Sequence, residues 1–463
     1  MRQNKGLIAS VDIPLLIGVL SLMFIGILTV YSVAYNAKHP MIFDFTQKYG
    51  KQFLWLGVSL FLGFLILLID ADIYRKFAEY IYLFTIVLLI IVLFMPPVNG
   101  ARAWLGIGSM GIQPAEFAKI STALLLSKWI DDTNIKLQNT RSIAEILGII
   151  LLPCILVALQ PDAGTLLVFT SFFFVLYREG ISFDPIIIPI LRTFPRLKFK
   201  STWLGTHFVP FFFMLLLIAF ISLYLSGSQF LIFNSNISGP WLLIIILTCV
   251  SLIFLLFIFL YGYSRNRTQH LIILISGYVF SIFLVSSITF FFNHLAAPHQ
   301  KSRIELVLGL KEDPNGADYN RNRAMAAVGS GKFFGKGYRK ASVSSMKTNH
   351  VPESETDFIF CPFAEEWGFA GSLVLISVYL FVLFRIFTIA ERQRSVFFRV
   401  YAYSCGIVLF YHFAINIGMN IGFAPVIGIP LPFMSYGGSS IMAFTIMTFI
   451  LLKLDSQRKD VLR

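Results

Sequence analysis

A carboxylate in the longest polar segment of the chain is the first candidate for chemistry. Asp313 precedes Pro314 within a polar stretch from about residue 293 to residue 357, in a sequence that is otherwise largely apolar. The stretch carries too many charges to cross a bilayer, so it is predicted to lie at the membrane surface, beside lipid headgroups and lipid-linked substrates. A carboxylate there is able to accept a proton from a substrate. The alternative is a replaceable turn residue, since Asp-Pro commonly opens a turn.

Glu116 and Lys119 form a second candidate pair, three positions apart and therefore on one face of a predicted helix. Ionisable side chains within a spanning helix are rare and usually functional, which favours a role in a site; a mutual salt bridge is the structural alternative. Gln113-Pro114 before Glu116, and Gln160-Pro161 before Asp162, put proline at the first helical position and a carboxylate in the first turn. The helix dipole favours negative charge there, which is a sufficient structural explanation for both carboxylates.

Glycines recur between residues 329 and 337, together with Lys332 and Lys336. The segment does not fit a nucleotide-binding P-loop, because Gly337 rather than Ser or Thr follows Lys336. Flexible backbone with two lysines is suited to a phosphate-bearing lipid headgroup, and simple loop flexibility is the equal alternative. The four cysteines lie in apolar runs, which argues against a disulfide framework, and the seven histidines show no metal-ligand spacing.

The elements that must position these residues are membrane helices. The composition is 57% hydrophobic and only 13% charged, which excludes an ordinary soluble globule. A spanning helix needs roughly 20 mostly apolar residues, and about twelve such runs occur, near 11–34, 53–70, 78–95, 114–130, 143–159, 163–178, 207–226, 241–262, 271–292, 358–386, 400–418 and 437–453. The first run is too long for a removable signal peptide. The predicted fold is all-α, a single polytopic membrane domain over residues 1–463 with a large extracytoplasmic loop at 293–357.

The orientation follows from the basic residues, which collect in alternate short connections. Lys and Arg are concentrated near residues 2–5, 75–76, 136–141, 192–200, 265–267, 385–394 and 453–463, and the positive-inside rule makes these connections cytoplasmic. Both termini are then predicted to lie in the cytoplasm. The net charge of +13 is explained by this distribution, and because the basic residues form no single stripe, no nucleic-acid partner is predicted.

Four sequence blocks, taken together, resemble the shape, elongation, division and sporulation family, which includes the RodA and FtsW proteins. They read QPAEFAK at 113–119, QPDAGT at 160–165, VPESETDFIF at 351–360 with AEEWG at 364–368, and GIPLPFMSYGGSS at 428–440. Each block alone is weak. Together with Asp313-Pro314-Asn315-Gly316 and the glycine stretch, they follow the order of the family along most of the chain.

The resemblance implies an inverting glycosyltransferase that polymerises disaccharide-pentapeptide units from undecaprenyl-diphosphate donors, the peptidoglycan precursor lipid II. Asp313 matches the essential aspartate of the family, in the role of general base for the attacking 4-hydroxyl. Glu116 and Lys119 match the conserved pair of its central cavity and complete the predicted catalytic set. The cations assigned to the leaving diphosphate are Arg102, Lys332, Lys336 and Arg339. Within the matched blocks, the remaining predicted substrate-binding residues are Asp162, Glu353, Thr356, Asp357, Glu366, Ser435 and Tyr436.

The same resemblance implies a partner and a location. Members of the family work with a class B penicillin-binding protein, a transpeptidase, in the bacterial cytoplasmic membrane. No cofactor is predicted with certainty; a divalent cation, Mg²⁺ or Mn²⁺, is an alternative means of balancing the diphosphate, and no site for one is readable in the sequence. The elongation (RodA) type is favoured over the division (FtsW) type.

The sequence departs from the family pattern in places, among them Asp318-Tyr319-Asn320 and Arg323 after Asp313, where the family tends to have Gly-Tyr-Gln and a later Gln. Glu355 stands where the family usually has His, which puts any role of that position in doubt, and the region 179–292 is long enough to add one helical hairpin to the ten-helix plan of the family. A lipid flippase or transporter is the rival, because a polytopic bundle with intramembrane charges would look much the same. The carboxylate in the large outer loop argues against it.

Overall fold

The computed structural model describes residues 11–35, 41, 43–97, 101–106, 111–132, 139–191, 203–225, 229–232, 235–261, 267–290, 317–344, 351–424 and 426–458. Asp313 lies outside these residues, as do the rest of the polar stretch from 293 to 316 and the basic segments near residues 2–5, 192–200 and 265.

The chain forms two compact units. Unit one comprises residues 1–179 and 320–463, and unit two comprises residues 180–319. The prediction of a single membrane domain over residues 1–463 stays a prediction. The candidate site residues that the structure describes all belong to unit one.

Unit one consists mainly of helices. Its helices, in chain order, are α1 (Ile13–Ala34), α2 (Lys48–Leu68), α3 (Ala71–Val92), α4 (Pro114–Asp132), α5 (Thr140–Leu159), α6 (Ala163–Phe169) and α7 (Phe172–Arg178), followed after unit two by most of α13 (Ala317–Ser330) and by α14 (Phe360–Glu391), α15 (Val396–Asn420) and α16 (Gly438–Ser456). The apolar spans of α15 and α16 are 72% and 89% buried, so both helices lie in the interior of the unit.

Unit two consists mainly of apolar helices. They are α8 (Asp184–Leu191), α9 (Trp203–Thr206), α10 (Phe208–Leu225), α11 (Gly239–Tyr261) and α12 (Arg267–Phe290). Between α10 and α11, the antiparallel strands β1 (Gln229–Ile232) and β2 (Ser235–Ser238) form a small hairpin. Leu215, Ile218, Leu243 and Val285 pack α10, α11 and α12 together.

The all-helical prediction is confirmed. A helix is found at each of the twelve predicted apolar runs, although the run at 163–178 is divided between α6 and α7. Seven helices within the described ranges are long and apolar enough to cross a membrane, namely α1, α2, α5, α11, α14, α15 and α16. The helix α3 begins at Ala71 rather than near residue 78, so Asp72, Arg75 and Lys76 lie in its first turns, before the predicted run. The helix α4 carries Glu116, Lys119 and Lys128 within the predicted run itself.

A break in α14 shapes the outer part of unit one. At Gly368 the backbone has φ 65° and ψ −163°, so the helix is interrupted after its first two turns. Four backbone hydrogen bonds to residues 332–337 replace those that the break removes: Lys336 N and Gly337 N donate to the carbonyls of Glu365 and Glu366, and Phe369 N and Ala370 N donate to the carbonyls of Lys332 and Phe333. A broken helix in a membrane protein needs such substitutes, because lipid offers no hydrogen-bond partners.

Candidate functional site

The pair Glu116 and Lys119 lies inside unit one, on α4. Pro114 begins the helix and Glu116 follows in its first turn, so the two side chains share one face. Lys119 Nζ is 2.8 Å from Glu116 Oε1, and the residues are only 1% and 2% exposed. Glu116 Oε2 has no hydrogen-bond partner within the part of the chain that the structure describes. The structural alternative, a mutual ion pair, is therefore present, and burial keeps both groups from direct contact with a substrate in this conformation.

A histidine from another helix completes the environment of the pair. His412, on α15, is 1% exposed, and its Nε2 lies 2.7 Å from Lys119 Nζ. Its Nδ1 lies 3.2 Å from the carbonyl oxygen of Pro430. The ring packs edge-on against Phe444 of α16 at 4.8 Å between centroids. Glu116, Lys119, His412 and the Pro430 carbonyl thus form a continuous polar chain from α4 to the segment before α16.

That segment, residues 426–437, is held by side chains from two helices. Asn416 of α15 donates from Nδ2 to the carbonyl of Ile429 at 2.7 Å. Gln52 of α2 donates to the carbonyl of Ser435 at 3.1 Å and accepts from the Gly437 N–H at 3.3 Å. Ser435 Oγ accepts from the Leu431 N–H at 2.8 Å, which closes the segment into a tight turn. The irregular backbone has its polar groups satisfied locally, as a buried segment requires.

Residues 351–359 lie against the same segment. Ser435 Oγ donates to the carbonyl of Thr356 at 2.7 Å, and the Tyr436 N–H donates to the carbonyl of Glu355 at 2.8 Å. Asn416 Nδ2 also donates to the carbonyl of Asp357 at 2.8 Å. Two predicted blocks, 351–360 and 428–440, are therefore joined by hydrogen bonds in which Thr356, Ser435 and Tyr436 take part through backbone and hydroxyl groups.

Glu355, the departure from the family pattern, has a structural contact. Its carboxylate forms an ion pair with Lys48 at the start of α2, and the residue is 4% exposed. Burial is the main reason why the pKa of the neighbouring Tyr436 phenol lies above its ordinary value, with Lys48 opposing and Glu355 reinforcing the shift. The carboxylate at position 355 thus links α2 to the 351–359 segment.

Asp162 connects two of the predicted blocks at the start of α6. Asp162 caps α6 by accepting from the Thr165 N–H at 2.9 Å, and Gln113 Nε2 donates to its other oxygen at 2.8 Å. Burial raises the pKa of Asp357 to about 6, and the charges of Glu353 and Asp162 add to that effect. The blocks at 113–119 and 160–165 therefore meet directly, and the block at 351–360 brings a protonatable carboxyl beside them.

The glycine-rich residues 329–337 do not leave a free phosphate cradle. The N–H groups of Gly335, Lys336 and Gly337 donate to the carbonyls of Gly331, Glu365 and Glu366. A Cβ at Gly331 would lie 2.1 Å from the carbonyl oxygen of Ala364, which is closer than atoms approach without displacement. Glycine is therefore needed at position 331 so that the loop can contact the broken helix. The sequence had suggested only phosphate binding or loop flexibility as reasons for the glycines.

The four cations assigned to the diphosphate have different surroundings. Lys336 Nζ is bound to Glu365 at 2.6 Å and to the hydroxyls of Ser330 and Ser342, so its charge is already compensated. Lys332 and Arg339 are exposed on the same loop. Arg102 is exposed near the start of α6, where its backbone N–H donates to the carbonyl of Gln160 at 3.3 Å. Three of the four cations thus remain accessible.

Glu366, on α14, contacts this loop rather than the residues near α6. Its Oε1 accepts from the Arg339 N–H at 3.1 Å and from the hydroxyl of Ser32 on α1. The guanidinium of Arg339 stacks over the ring of Tyr35 at 3.6 Å. The predicted residues accordingly fall into a group around Asp162 and Asp357 and a group around Glu366 and Arg339.

Sequence reasoning missed three residues that hold the site together, namely Gln52, His412 and Asn416. His412 and Asn416 are four positions apart, followed by Asn420 after another four, which puts all three on one face of the apolar helix α15. Isolated polar side chains inside an apolar helix are a recognisable signal. Within the described residues, no group of three or more His, Cys, Asp or Glu side chains is arranged to hold a metal ion.

Comparison with known proteins shows that a family model matches most of the chain. A family model described as "Cell cycle protein" (FtsW, RodA, SpoVE) matches residues 13–201 and 242–460. The unmatched residues 202–241 include α10, within the region where the sequence predicted an additional hairpin.

Individual relatives cover nearly the whole chain. Peptidoglycan glycosyltransferase RodA of Treponema pallidum is 28% identical over 97% of this chain and 99% of its own length. Peptidoglycan glycosyltransferase MrdB of Escherichia coli K12 is 29% identical over 95% of this chain and 93% of its length. Stage V sporulation protein E of Bacillus subtilis is 26% identical over 96% of both chains.

Solved structures support the fold. A chain from a structure described as showing coordination of polymerization and crosslinking by a peptidoglycan synthase complex aligns with a TM-score of 0.65 at 22% identity, covering 97% of this chain and 98% of that one. The rod shape determining protein RodA of Thermus thermophilus aligns with a TM-score of 0.53 at 20% identity, covering 97% of both chains. At these identities the likeness concerns the fold.

Proposed function

The chain belongs to the FtsW/RodA/SpoVE family of integral membrane proteins, and from this premise we propose that it is a peptidoglycan glycosyltransferase that polymerises lipid II. One structural observation supports the proposal most. The sequence blocks that resemble the family lie far apart in the chain and are connected in unit one: Gln113 contacts Asp162, Ser435 contacts Thr356, and Lys119 is linked through His412 to Pro430.

The proposed reaction is an inverting displacement at the anomeric carbon of the donor sugar. The 4-hydroxyl oxygen of the acceptor forms the new glycosidic bond while the bond to the undecaprenyl diphosphate breaks, and the diphosphate leaves with the electron pair. Asp313 accepts the hydroxyl proton as general base. Its place in the polar 293–357 loop and the family resemblance support this assignment.

Cations stabilise the departing diphosphate in this proposal. Lys332, Arg339 and Arg102 are exposed and carry charges that a diphosphate can approach. We assign Lys336 a different role, because its ammonium is engaged by Glu365 and holds the loop on the broken helix. We likewise assign the buried pair Glu116 and Lys119 to positioning of the site rather than to contact with the sugar.

The elongation type, the partner and the orientation are also part of the proposal. Relatives named RodA and MrdB are the first matches, which supports a role in rod shape over division. The solved complex of the peptidoglycan synthase supports a class B penicillin-binding protein as partner. We place the chain in the bacterial cytoplasmic membrane with both termini inside, on the evidence of the basic connections.

Glycan synthesis from purified lipid II, with a transpeptidase partner present, tests the function. We expect Asp313→Asn to lower the polymerisation rate by about 10²–10⁴-fold, because the amide keeps the size of the side chain but cannot accept the proton. Glu312→Gln is the matched control, since it removes the adjacent carboxylate in the same loop. Near-normal polymerisation by Asp313→Asn at matched protein level would remove Asp313 from the reaction. Absence of polymerisation by the unaltered protein, with lipid II crossing vesicle membranes instead, would favour the flippase.

A further inference from the structure

We propose that His412 is a positioning residue that fixes the Lys119 ammonium and joins it to the 426–437 segment. The inference rests on the proposed function and adds to it a residue that the sequence blocks do not contain. Its basis is the contact of one imidazole with Lys119 on one side and with the Pro430 carbonyl on the other.

The two contacts determine the protonation state of the ring. An ammonium group only donates hydrogen bonds, so His412 Nε2 must present a lone pair to Lys119 at 2.7 Å. A carbonyl oxygen only accepts, so Nδ1 must carry the hydrogen that points to Pro430. His412 is therefore neutral and in the Nδ1–H form, and neither contact survives in the opposite tautomer.

The Lys119 ammonium needs this second acceptor. It is 1% exposed, and its described partners are Glu116 Oε1 at 2.8 Å, His412 Nε2 and, more distantly, the face of Phe444 at 5.4 Å. Hydrogen bonds to a charged donor are about twice as strong as neutral ones. Without Nε2, Glu116 would be the remaining described hydrogen-bond acceptor of the ammonium, and the Lys119 side chain would be less firmly held in its present position.

Movement of Lys119 would reach the proposed substrate-binding residues through few contacts. His412 is bonded to the segment that carries Ser435, and Ser435 is bonded to the backbone of Thr356. Asn416, one turn after His412, holds Ile429 and Asp357 in the same way. A shift of the His412 ring would thus displace the 426–437 segment, whose other polar groups are held by hydrogen bonds to α2 and α15.

Two amide substitutions and one apolar control separate this role from simple packing. The terminal amide of Gln reaches about as far as Nε2 of His, whereas the amide of Asn reaches about as far as Nδ1. His412→Gln therefore keeps an acceptor for Lys119, and His412→Asn keeps only the donor for Pro430. Both variants are uncharged, but Gln is also the larger, so loss of bulk alone would give the same order. His412→Leu has about the bulk of Gln and no acceptor for Lys119. The inference predicts that the kcat of His412→Leu falls as in His412→Asn, whereas a packing role predicts a kcat close to that of His412→Gln.

We expect kcat for glycan polymerisation to fall about 10- to 100-fold in His412→Asn, the effect of one lost hydrogen bond to a charged group. His412→Gln should stay within about threefold of the unaltered protein, and KM for lipid II should not change in either variant, because the ring does not contact substrate. Ser404→Ala is the matched control: Ser404 is buried on the same helix and bonds only the Val400 carbonyl at 2.8 Å among the described contacts. Equal kcat for the Asn and Gln variants would overturn the inference.

The tautomer provides a test that needs no loss of function. In the ¹⁵N spectrum of the histidine-labelled full-length protein, the signal absent from His412→Gln should show a protonated Nδ1 and an unprotonated Nε2. An Nε2–H tautomer or an imidazolium would contradict the inference, whatever the variants do.

Lys119→Met separates this inference from the proposed function. Full activity of Lys119→Met would remove the charge pair from the proposed function, and the role of His412 with it. Loss of activity in Lys119→Met, combined with full activity of His412→Asn, would leave the proposed function intact and overturn the role of His412 alone.

Discussion

At the scale of single residues, Asp357 shows how burial changes a carboxyl group. It lies at the end of the 351–359 segment, and burial, with Glu353 and Asp162 nearby, raises its pKa to about 6 from an ordinary value of 3.8. In the folded protein the group therefore holds its proton between pH of about 4 and 6, where the unfolded chain has already lost it.

The sign of the resulting pH dependence is definite. Because the folded state binds more protons in that window, the free energy of unfolding contributed by Asp357 is largest below pH of about 4 and falls as the pH rises toward 6. We expect the apparent unfolding temperature in detergent, measured between pH 4 and 7, to fall less with rising pH in Asp357→Asn than in the unaltered protein. Identical slopes would show that the native carboxyl titrates normally.

The charge pair gives a second prediction at this scale. A double variant, Glu116→Lys with Lys119→Glu, keeps opposite charges at the same two positions. We expect it to recover little polymerisation activity, because the carboxylate at position 119 would face the Nε2 lone pair of His412 without a hydrogen to donate. Loss of one hydrogen bond to a buried charge costs about 1.5–3 kcal/mol.

The matched control is the exchange of Lys128 and Glu79, an ion pair of 2.7 Å with one partner half-exposed. Surface pairs contribute only about 0–1 kcal/mol, so this exchange should have little effect. Full recovery of glycan synthesis by the double variant at positions 116 and 119 would show that the two residues act only through their mutual attraction.

The sequence predicted these residues unevenly, for physical reasons. Glu116 and Lys119 are three positions apart on one helix, and Asp162 follows a proline at a helix start, so local rules identify them. The roles of His412 and Gln52 depend on contacts with parts of the chain that are distant in sequence. Rules based on local sequence do not predict such contacts. A polar face on an apolar helix would have indicated His412 as a candidate but not its partner.

At the scale of elements, helix existence was predictable because an apolar run of the length of the bilayer has few other stable structures. The break in α14 was not predictable from the apolar count, since Gly368 lies within a run that satisfies it. The glycine-rich segment and the broken helix explain one another only when they are seen in contact. The loop sequence alone does not reveal its contact with α14. Loop flexibility and phosphate binding were therefore the hypotheses that the sequence allowed.

This contact leads to the third prediction. Gly331→Ala places a Cβ 2.1 Å from the carbonyl oxygen of Ala364, so the loop must withdraw from the broken helix. We expect a loss of stability of about 1–3 kcal/mol, typical of overpacking, and a lower unfolding temperature in detergent.

Gly329→Ala is the control for this prediction, two residues earlier in the C-terminal turn of α13. No atom lies within 4 Å of a Cβ at that position. Alanine is favoured over glycine in a helix by about 1 kcal/mol, so this variant should be neutral or slightly more stable. Equal loss of stability in both variants would mean that the loop position does not depend on the close approach at Gly331.

At the scale of the molecule, unit one has two chemically distinct ends. At the start of α1, Asp12 accepts from Arg385 and Arg392, and Arg392 also binds Asp455 near the end of α16. The start of α1 and the end of α16 therefore meet at one end. Near the other end of α1, Tyr338 donates to the Leu28 carbonyl, which places the glycine-rich loop there.

These two ends must lie on opposite sides of the membrane if α1 spans it. A helix of 22 residues is about 33 Å long, close to the thickness of about 30 Å of the hydrocarbon core. Arg385 and Arg392 flank a short connection, to which the positive-inside rule applies, whereas the glycine-rich loop belongs to the long 293–357 segment, which is exempt from it. In the proposed orientation, the end with Arg385 and Arg392 lies in the cytoplasm and the glycine-rich loop lies outside. This assignment puts the exposed cations Lys332 and Arg339 on the side where the proposed polymerisation occurs.

Cysteine labelling tests the assignment at two exposed positions, Lys340 on the loop and Arg394 after α14. The chain suits the experiment, because among its native cysteines only Cys249 is exposed, and Cys249→Ala supplies the background. We expect a membrane-impermeant maleimide added to intact spheroplasts to label Lys340→Cys and to label Arg394→Cys only after permeabilisation, which serves as the control for reactivity. Labelling of Arg394→Cys from outside, with protection of Lys340→Cys, would invert the orientation. The diphosphate-binding cations would then face the cytoplasm, and an extracytoplasmic polymerase would have to be abandoned in favour of chemistry on the inner face.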